Sequence, residues 1–308
     1  MLTARAIGIG FAILSCVACR EPAKKQESAD RPPPAAPRVE PEVPAVKADR
    51  FASAADAMAE ILRRTAPTVI GFGEFHQLEG TSNTLSALER FRTELLPPLA
   101  AATSDLVVET WIPKNCGEME EKAIAQVEEV SERPQETENE TIRLIRAAEK
   151  AGVQPHILDV KCEEYESLFD ENGEMDFLRM LELVGRLLKE TGQNILSKRA
   201  AEPLPSRPRV LLYGGAIHND LHFDPMWTNA TFGPAMKAGS GGKYVAVDVY
   251  VPELIENNSL VKEEPWYPVY RELVSDREVL LLETASDSFI IVFKRGVKNT
   301  PASGGGQP

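Results

Sequence analysis

Short apolar runs that alternate with helical stretches constrain the fold of this chain more than any other feature of its sequence. Each run has the length and composition of a buried strand, and several end in glycine. The runs occupy residues 68–73, 105–110, 153–160, 209–214 and 243–251. Between them, leucines, isoleucines and valines recur at helical spacing, as in residues 175–196. This alternation predicts an α/β domain with a mainly parallel sheet flanked by helices.

Two further apolar runs, at residues 279–283 and 288–293, lie close together near the end of the chain. The residues between them include Ala285, Ser286 and Asp287, which are typical of a tight turn. We therefore predict an antiparallel C-terminal hairpin at the edge of the sheet. The sequence contains neither an internal repeat nor a second linker, so residues 51–298 are expected to form a single domain.

The first residues have the composition of a secretory signal peptide. Arg5 precedes an apolar run at residues 6–14, and small residues follow before the chain becomes polar after Cys19. The apolar run is too short to span a bilayer, which takes about 20 apolar residues. We predict a signal peptide at residues 1–18 and export to the bacterial cell envelope.

The cysteine that ends this region resembles the lipidated cysteine of bacterial lipoproteins. Cys19 leaves the longer apolar region before it and is the preferred position, with Cys16 as the alternative. The resemblance implies a membrane anchor through an N-terminal lipid. Residues 19–50, which are rich in proline and charge, are then expected to act as a tether, and residues 299–308 as a disordered tail.

The charge and the cysteines exclude some classes of function. A net charge of −13 argues against a nucleic-acid partner, because nucleic-acid binders need a basic face. The chain has neither the GxSxG elbow of common serine hydrolases nor a glycine-rich phosphate loop. Cys116 and Cys162 could form a disulfide in an oxidising compartment or remain free thiols, and their spacing leaves both alternatives open.

Glutamate and histidine side chains follow several of the predicted strands at the point where each strand ends. Glu74 and His76 follow the first strand, Glu109 ends the second, and His218 follows the glycine-rich end of the fourth. Because the carboxyl ends of parallel strands lie along one edge of a sheet, these side chains are predicted to share a site. Such residues can relay protons or hold a divalent metal.

Other residues are expected to support this site or to have structural roles. Asp159, at the end of the third strand, and Asn219, which follows His218, are predicted to position the catalytic groups. His156 lies inside an apolar strand and is interpreted as structural. Trp266 is more typical of a packing residue than of a pocket.

Three segments carry a resemblance to known families. They are TVIGFGEFHQ at residues 68–77, LVVETW at 106–111 and VLLYGGAIH at 210–218. Together they resemble a superfamily that includes the ChaN-like haem-binding lipoproteins, the erythromycin esterases and, more distantly, the TraB/Tiki proteins. The resemblance spans residues 66–294 and implies an α/β fold with four residues around one pocket: Glu74, His76, Glu109 and His218.

The resemblance leaves three functional hypotheses. In the esterase branch, Glu74 and His76, or a divalent metal held by the four site residues, would activate water to hydrolyse a small-molecule ester or amide. His218 would then stabilise charge or orient the substrate, and Glu109 would fix a histidine or bind the metal. In the ChaN-like branch, the domain would bind haem or a metal without catalysis. The third hypothesis is an envelope interaction protein whose site has decayed.

Overall fold

A computed structural model describes residues 46–77, 81, 84–131, 134, 136–201, 206–256 and 258–296. The predicted signal peptide, Cys16, Cys19, residues 20–45 and the predicted tail lie outside these residues. Within the described part of the chain, no helix is both long enough and apolar enough to span a bilayer.

The described residues form an eight-stranded mixed sheet. In chain order the strands are β1 (Lys47–Phe51), β2 (Val69–Glu74), β3 (Thr103–Trp111), β4 (Gln154–Leu158), β5 (Arg209–Gly215), β6 (Tyr244–Tyr250), β7 (Val279–Ala285) and β8 (Ser288–Val292). Their order across the sheet is β1-β7-β8-β6-β2-β5-β3-β4. The strands from β8 to β4 are parallel, whereas β7 is antiparallel to both β8 and β1. The predicted α/β fold and its C-terminal hairpin are confirmed.

Helices pack on both faces of this sheet. They are α1 (Ala54–Thr65), α2 (Ala87–Arg90), α3 (Leu96–Ala100), α4 (Glu118–Ser131), α5 (Glu136–Lys150), α6 (Cys162–Glu166), α7 (Phe177–Ala200), α8 (Ala216–Asn219), α9 (Gly233–Gly239), α10 (Pro252–Ile255), α11 (Ser259–Lys262) and α12 (Tyr267–Leu273). A π-helical turn, Phe91–Leu95, joins α2 to α3, and a 3-10 turn, Pro225–Trp227, precedes α9.

Alternation along the strands divides the core between the two faces. On β2, Ile70 and Phe72 pack against one group of helices, while Val69 packs in a separate cluster on the other face. Phe91 joins the first face, with its ring 4.8 Å from that of Phe72 and 4.6 Å from that of Tyr213. Full burial of a phenylalanine stabilises a fold by about 1.5–3 kcal/mol, so this cluster fixes β2 beside β5.

The folded domain begins earlier than the predicted boundary at residue 51. β1 lies within the segment predicted to be a tether, and it pairs with β7 so that Asp49 faces Leu281. Lys47 Nζ contacts Glu283 at 3.0 Å across this pair. The outermost strand on this side is therefore β1, and the C-terminal hairpin lies one strand further in.

Cys116 and Cys162 form a disulfide, with 5.2 Å between their Cα atoms. This is one of the two alternatives that their spacing left open. The bond ties the loop that follows β3 to the first residue of α6. It therefore fixes the chain on the C-terminal side of Glu109.

Candidate functional site

The register of the parallel strands sets one row of residues across the carboxyl edge of the sheet. Gly73 of β2 lies opposite Gly214 of β5 on one side and opposite Asp248 of β6 on the other. Glu109 of β3 borders Gly214, because its Oε2 is 2.4 Å from the position that a Cβ on Gly214 would take. Two acidic side chains thus flank two glycines in this row.

Helix α8 lies directly over the glycines of β2. A Cβ on Gly73 would be 2.6 Å from the Cα of Ala216, closer than real Cβ atoms approach other atoms. The glycines therefore allow α8 to sit on the sheet. The helix places His218 beside Glu109 and Asn219 beside Asp248.

Glu74 is held by two partners on the opposite face of β2. Its Oε1 lies 2.7 Å from His76 Nδ1, and its Oε2 accepts a hydrogen bond from the Tyr213 hydroxyl at 2.7 Å. Glu74 is buried, whereas the side chain of His76 retains 28% of its exposure. A buried carboxylate that binds one ring nitrogen fixes both the orientation and the tautomer of the histidine.

Glu109 and His218 form a second pair. Glu109 Oε2 accepts a hydrogen bond from the backbone N–H of Gly215 at 2.6 Å and lies 3.8 Å from His218 Nε2. His218 is buried, and its Nδ1 lies 2.6 Å from the carbonyl oxygen of Ala230. Because a carbonyl only accepts, Nδ1 carries the proton, and the other ring nitrogen faces Glu109.

The two pairs meet around Gly215. His76 Nε2 lies 3.0 Å, and Glu109 Oε2 3.7 Å, from the position that a Cβ on Gly215 would take. The four residues predicted as catalytic, Glu74, His76, Glu109 and His218, are therefore gathered at one edge of the sheet. A residue larger than glycine at position 215 would stand between the two pairs.

Asp248 and Tyr213 belong to this edge as well, although the sequence interpretation included neither. Asp248 Oδ1 accepts a hydrogen bond from Asn219 Nδ2 at 3.0 Å, and the Tyr250 hydroxyl donates to Oδ2 at 3.3 Å. Burial raises the pKa of Asp248 to about 7, and the nearby charges of Asp220 and Glu264 contribute in the same direction.

The sequence did contain a signal for Asp248. It is the one charged residue in the run Tyr244–Tyr250, and burying a carboxyl in an apolar strand is costly unless it has a role. Tyr213 gave no such signal, because a tyrosine is ordinary in a buried strand. Its hydroxyl reaches Glu74 only through the pairing of β5 with β2.

The structure separates Asp159 from the site, which corrects its predicted supporting role. Asp159 follows the end of β4, its side chain is 79% exposed, and it forms an ion pair with Lys114. Asn219, in contrast, contacts the row through Asp248 and the carbonyl of Gly71. The Nε2 of His156 lies 2.9 Å from Asp105, away from this edge, which agrees with its structural interpretation.

The four residues predicted as metal ligands do not form a ready metal site. Among the described residues, no three His, Cys, Asp or Glu side chains lie close enough together to hold a metal ion. Both histidines direct Nδ1 to another protein group, His76 to Glu74 and His218 to the Ala230 carbonyl. Their donor atoms serve hydrogen bonds within the protein, so we derive no step through a metal.

A cavity of about 400 Å³ lies beside the row, on the side of β6 and β8. The lining includes Asn219, Asp220, His222, Asp248, Glu264 and Trp266. Neither His76 nor His218 lines it. A haem in this cavity would therefore lack both predicted ligands, and the predicted haem site and the cavity do not coincide.

Comparisons with known proteins add little to this geometry. No protein-family model matches the chain, and no curated protein matches it. Among solved structures, the type III effector HopBA1 is similar, with a TM-score of 0.42 and 10% sequence identity. The match covers 82% of this chain and 99% of that chain. A likeness at this level carries no conclusion about function.

Proposed function

We propose that this chain is an exported, lipid-anchored hydrolase in which Glu74 and His76 activate a water molecule. The contact that supports this proposal is the 2.7 Å approach of Glu74 Oε1 to His76 Nδ1. A carboxylate at Nδ1 accepts a hydrogen bond from the ring N–H, so that Nε2 is the basic atom. Tyr213 holds the other oxygen of Glu74, so the carboxylate is fixed before a substrate arrives. An orienting carboxylate of this kind suits general-base catalysis.

In the proposed reaction, His76 Nε2 takes a proton from water while the water oxygen attacks the carbonyl carbon of an ester or amide. A carbon–oxygen bond forms, and the electron pair of the carbonyl moves onto its oxygen. His218 stabilises the charge on that oxygen, and Glu109, 3.8 Å from His218 Nε2, fixes the orientation of the ring. Collapse of the intermediate breaks the bond to the leaving group, which takes the proton from His76.

The other parts of the proposal have separate support. The ester or amide class comes from the resemblance of three motifs to the erythromycin esterase branch. The exported location comes from the composition of residues 1–18, and the disulfide between Cys116 and Cys162 suits the oxidising compartment to which a signal peptide leads. The lipid anchor at Cys19, or at Cys16, follows from the resemblance to lipoproteins.

A panel of nitrophenyl esters and anilides tests the hydrolase proposal with the full chain. We expect measurable hydrolysis of at least one compound and a loss of roughly 10²–10⁴-fold in kcat/KM for His76→Gln. Tyr213→Phe should retain part of the activity, because Glu74 keeps its contact with His76 when the Tyr213 hydroxyl is lost.

His156→Gln is the matched control, because His156 also lies beside a carboxylate but stands outside the site. It should hydrolyse the same ester at the wild-type rate. Hydrolysis that persists unchanged in the His76→Gln variant would contradict the proposed role of the ring. Turnover of no compound in the panel, with a correctly folded chain that binds haem instead, would favour the ChaN-like hypothesis.

A further inference from the structure

Two buried residues that border the cavity beside Asp248 carry hydrogen-bonding oxygens that lack a partner among the described residues. Asn219 and Ser288 both line it and are both buried. Asn219 directs its amide nitrogen to the Gly71 carbonyl and to Asp248, which leaves Oδ1 without a hydrogen-bond partner in the described part of the chain. The Ser288 hydroxyl also lacks a partner there. Buried polar atoms of this kind are costly unless a ligand or water satisfies them.

The Asn219 acceptor lies close to the Asp248 carboxylate. Asp248 Oδ1 and Asn219 Oδ1 lie 2.5 Å and 2.7 Å from the same point, the position of a Cβ on Gly73. Ser288 stands opposite Ala246 in the pairing of β8 with β6, one alternation from Asp248 on the same face. One end of the cavity is therefore rich in acceptor oxygens.

Apart from His222, the ionisable side chains that line the cavity are all acidic. Asp220, Asp248 and Glu264 border the cavity, while the described lining contains neither lysine nor arginine. Burial raises the pKa of Glu264, and the charge of Asp220 adds to this shift. Carboxylates that face one another across a poorly solvated space repel, and an enclosed cation would relieve that repulsion.

The remaining wall is apolar and aromatic. Trp266 lines the cavity and stacks on Tyr250, with 5.4 Å between their ring centroids and an angle of 19°. Ile290 and Ala246 add aliphatic surface from β8 and β6. An aromatic face beside carboxylates suits a cation that carries hydrocarbon, because the ring attracts positive charge and also packs against apolar groups.

We propose that this cavity binds a small primary amine in its protonated form. The ammonium group would donate to the Asp248 carboxylate, and the hydrocarbon would pack on Trp266. A bare metal ion suits the cavity less well, because the described residues contain no metal-binding group of three such side chains. Amine binding here does not require hydrolysis at His76.

Calorimetric titration of the full chain with phenethylamine tests this proposal, and phenethyl alcohol serves as the neutral probe of the same shape. At about pH 8 the amine is protonated and Asp248 is ionised. We expect the amine to bind at least about tenfold more tightly than the alcohol. Calcium chloride titrated alone should give no saturable heat.

Substitutions in the cavity lining test whether the amine binds there. Asp248→Asn should weaken amine binding by about tenfold or more while leaving the weak binding of the alcohol unchanged. Glu264→Gln should also weaken amine binding. Asp159→Asn is the matched control, since that carboxylate is exposed and distant from the cavity. Thermal unfolding of each variant verifies that it is folded.

Three outcomes would overturn the proposal. They are equal affinity for amine and alcohol, wild-type affinity in both the Asp248→Asn and Glu264→Gln variants, and no amine binding below roughly 5 mM. Saturable binding of calcium that Asp248→Asn abolishes would instead identify a metal site. Each result is read from heat of binding alone, so the outcome is independent of the ester assay.

Discussion

At the scale of single residues, Asp248 shows how the surroundings of a carboxyl group change its pKa. It lies on a strand whose other residues are apolar or aromatic, and its side chain meets the cavity rather than bulk solvent. Burial raises its pKa to about 7, against an ordinary value of 3.8, although Asn219 and Tyr250 each donate a hydrogen bond to it. Two donors are thus insufficient to compensate for the loss of water and the repulsion from Asp220 and Glu264.

This pKa predicts a specific dependence of stability on pH. Between about pH 4 and pH 7 the folded chain holds a proton on Asp248 that the unfolded chain has released, so this group favours folding at the lower pH. Its contribution should be lost as pH rises through this range, at no more than about 1.4 kcal/mol per pH unit. Urea unfolding of wild type and Asp248→Asn across this range measures the difference in their free energies of unfolding. The variant should become more stable relative to the wild type as the pH rises.

The same titration in Asp159→Asn provides a baseline, because Asp159 is exposed and its pKa is lowered by Lys114. Its stability curve should run parallel to that of the wild type above pH 4.5 or so. If Asp248→Asn also runs parallel to the wild type, the Asp248 carboxyl is ionised throughout this range and the inferred pKa is wrong.

Sequence alone found Glu74, His76, Glu109 and His218 because each lies at or just beyond the carboxyl end of a strand, where a chemical role is easy to recognise. Tyr213 could not be found in that way, since its hydroxyl matters only after β5 pairs with β2. The predicted supporting role of Asp159 was wrong, although Asp159 also lies near a strand end. A position at a strand end does not specify which way the chain turns after it, and Asp159 turns to solvent.

At the scale of elements, the contact of α8 with β2 and β5 organises the site. The helix has only four residues, and it lies so close to β2 that Gly71 and Gly73 have no room for side chains. A helix this short has little stability of its own. Its position therefore depends on anchors such as the Asn219 amide on the Gly71 carbonyl and the Tyr244 hydroxyl on the Asn219 carbonyl.

Gly73→Ala tests this dependence. The added methyl would lie 2.5 Å from Asp248 Oδ1 and 2.6 Å from the Ala216 backbone, so the helix has to move. We expect a loss of about 1–3 kcal/mol in the free energy of unfolding, measured by urea denaturation.

Gly296→Ala is the matched substitution, because no atom lies within 4 Å of the added methyl. It should change stability by less than about 0.5 kcal/mol. Equal stability of the two variants would show that α8 is not seated on the sheet as described.

Local sequence signals fixed element types better than their boundaries. Residues 137–140 have the pattern of a helix-capping box, yet α5 begins one residue earlier, at Glu136. Glu140 is instead buried and accepts a hydrogen bond from Ser86, which caps α2. β1 was hidden by the proline-rich segment before it, because its pairing with β7 involves residues more than 200 positions away. Neither contact can be inferred from neighbouring residues.

At the scale of the whole molecule, the order of the strands carries the distant motifs to one place. β2 and β5 are adjacent in the sheet, although they are far apart in the chain. Val210 of β5 lies 134 positions after His76, which follows β2. Alternating strands and helices predicted a parallel sheet but not this order, because many orders satisfy the same pattern. The gathering of the site is therefore a property of the complete fold.

The proposed anchor is also a property of the whole chain, and it yields a direct test. Labelling of the expressed chain with tritiated palmitate should be retained in Cys16→Ala and abolished in Cys19→Ala if lipid is attached at Cys19. The two variants are each other's control, since they differ in the position of one cysteine. Labelling that persists in both variants, or is absent from the wild type, would contradict the lipoprotein proposal.

Helix α8 also sets a limit on how this protein can be engineered. It carries His218 toward Glu109 and Asn219 toward Asp248, so one rigid turn supports both ends of the row. Any redesign that shifts the helix perturbs the two ends together. A change of selectivity at the Asp248 end therefore has to begin from a strand residue such as Ile290, which lines the cavity there.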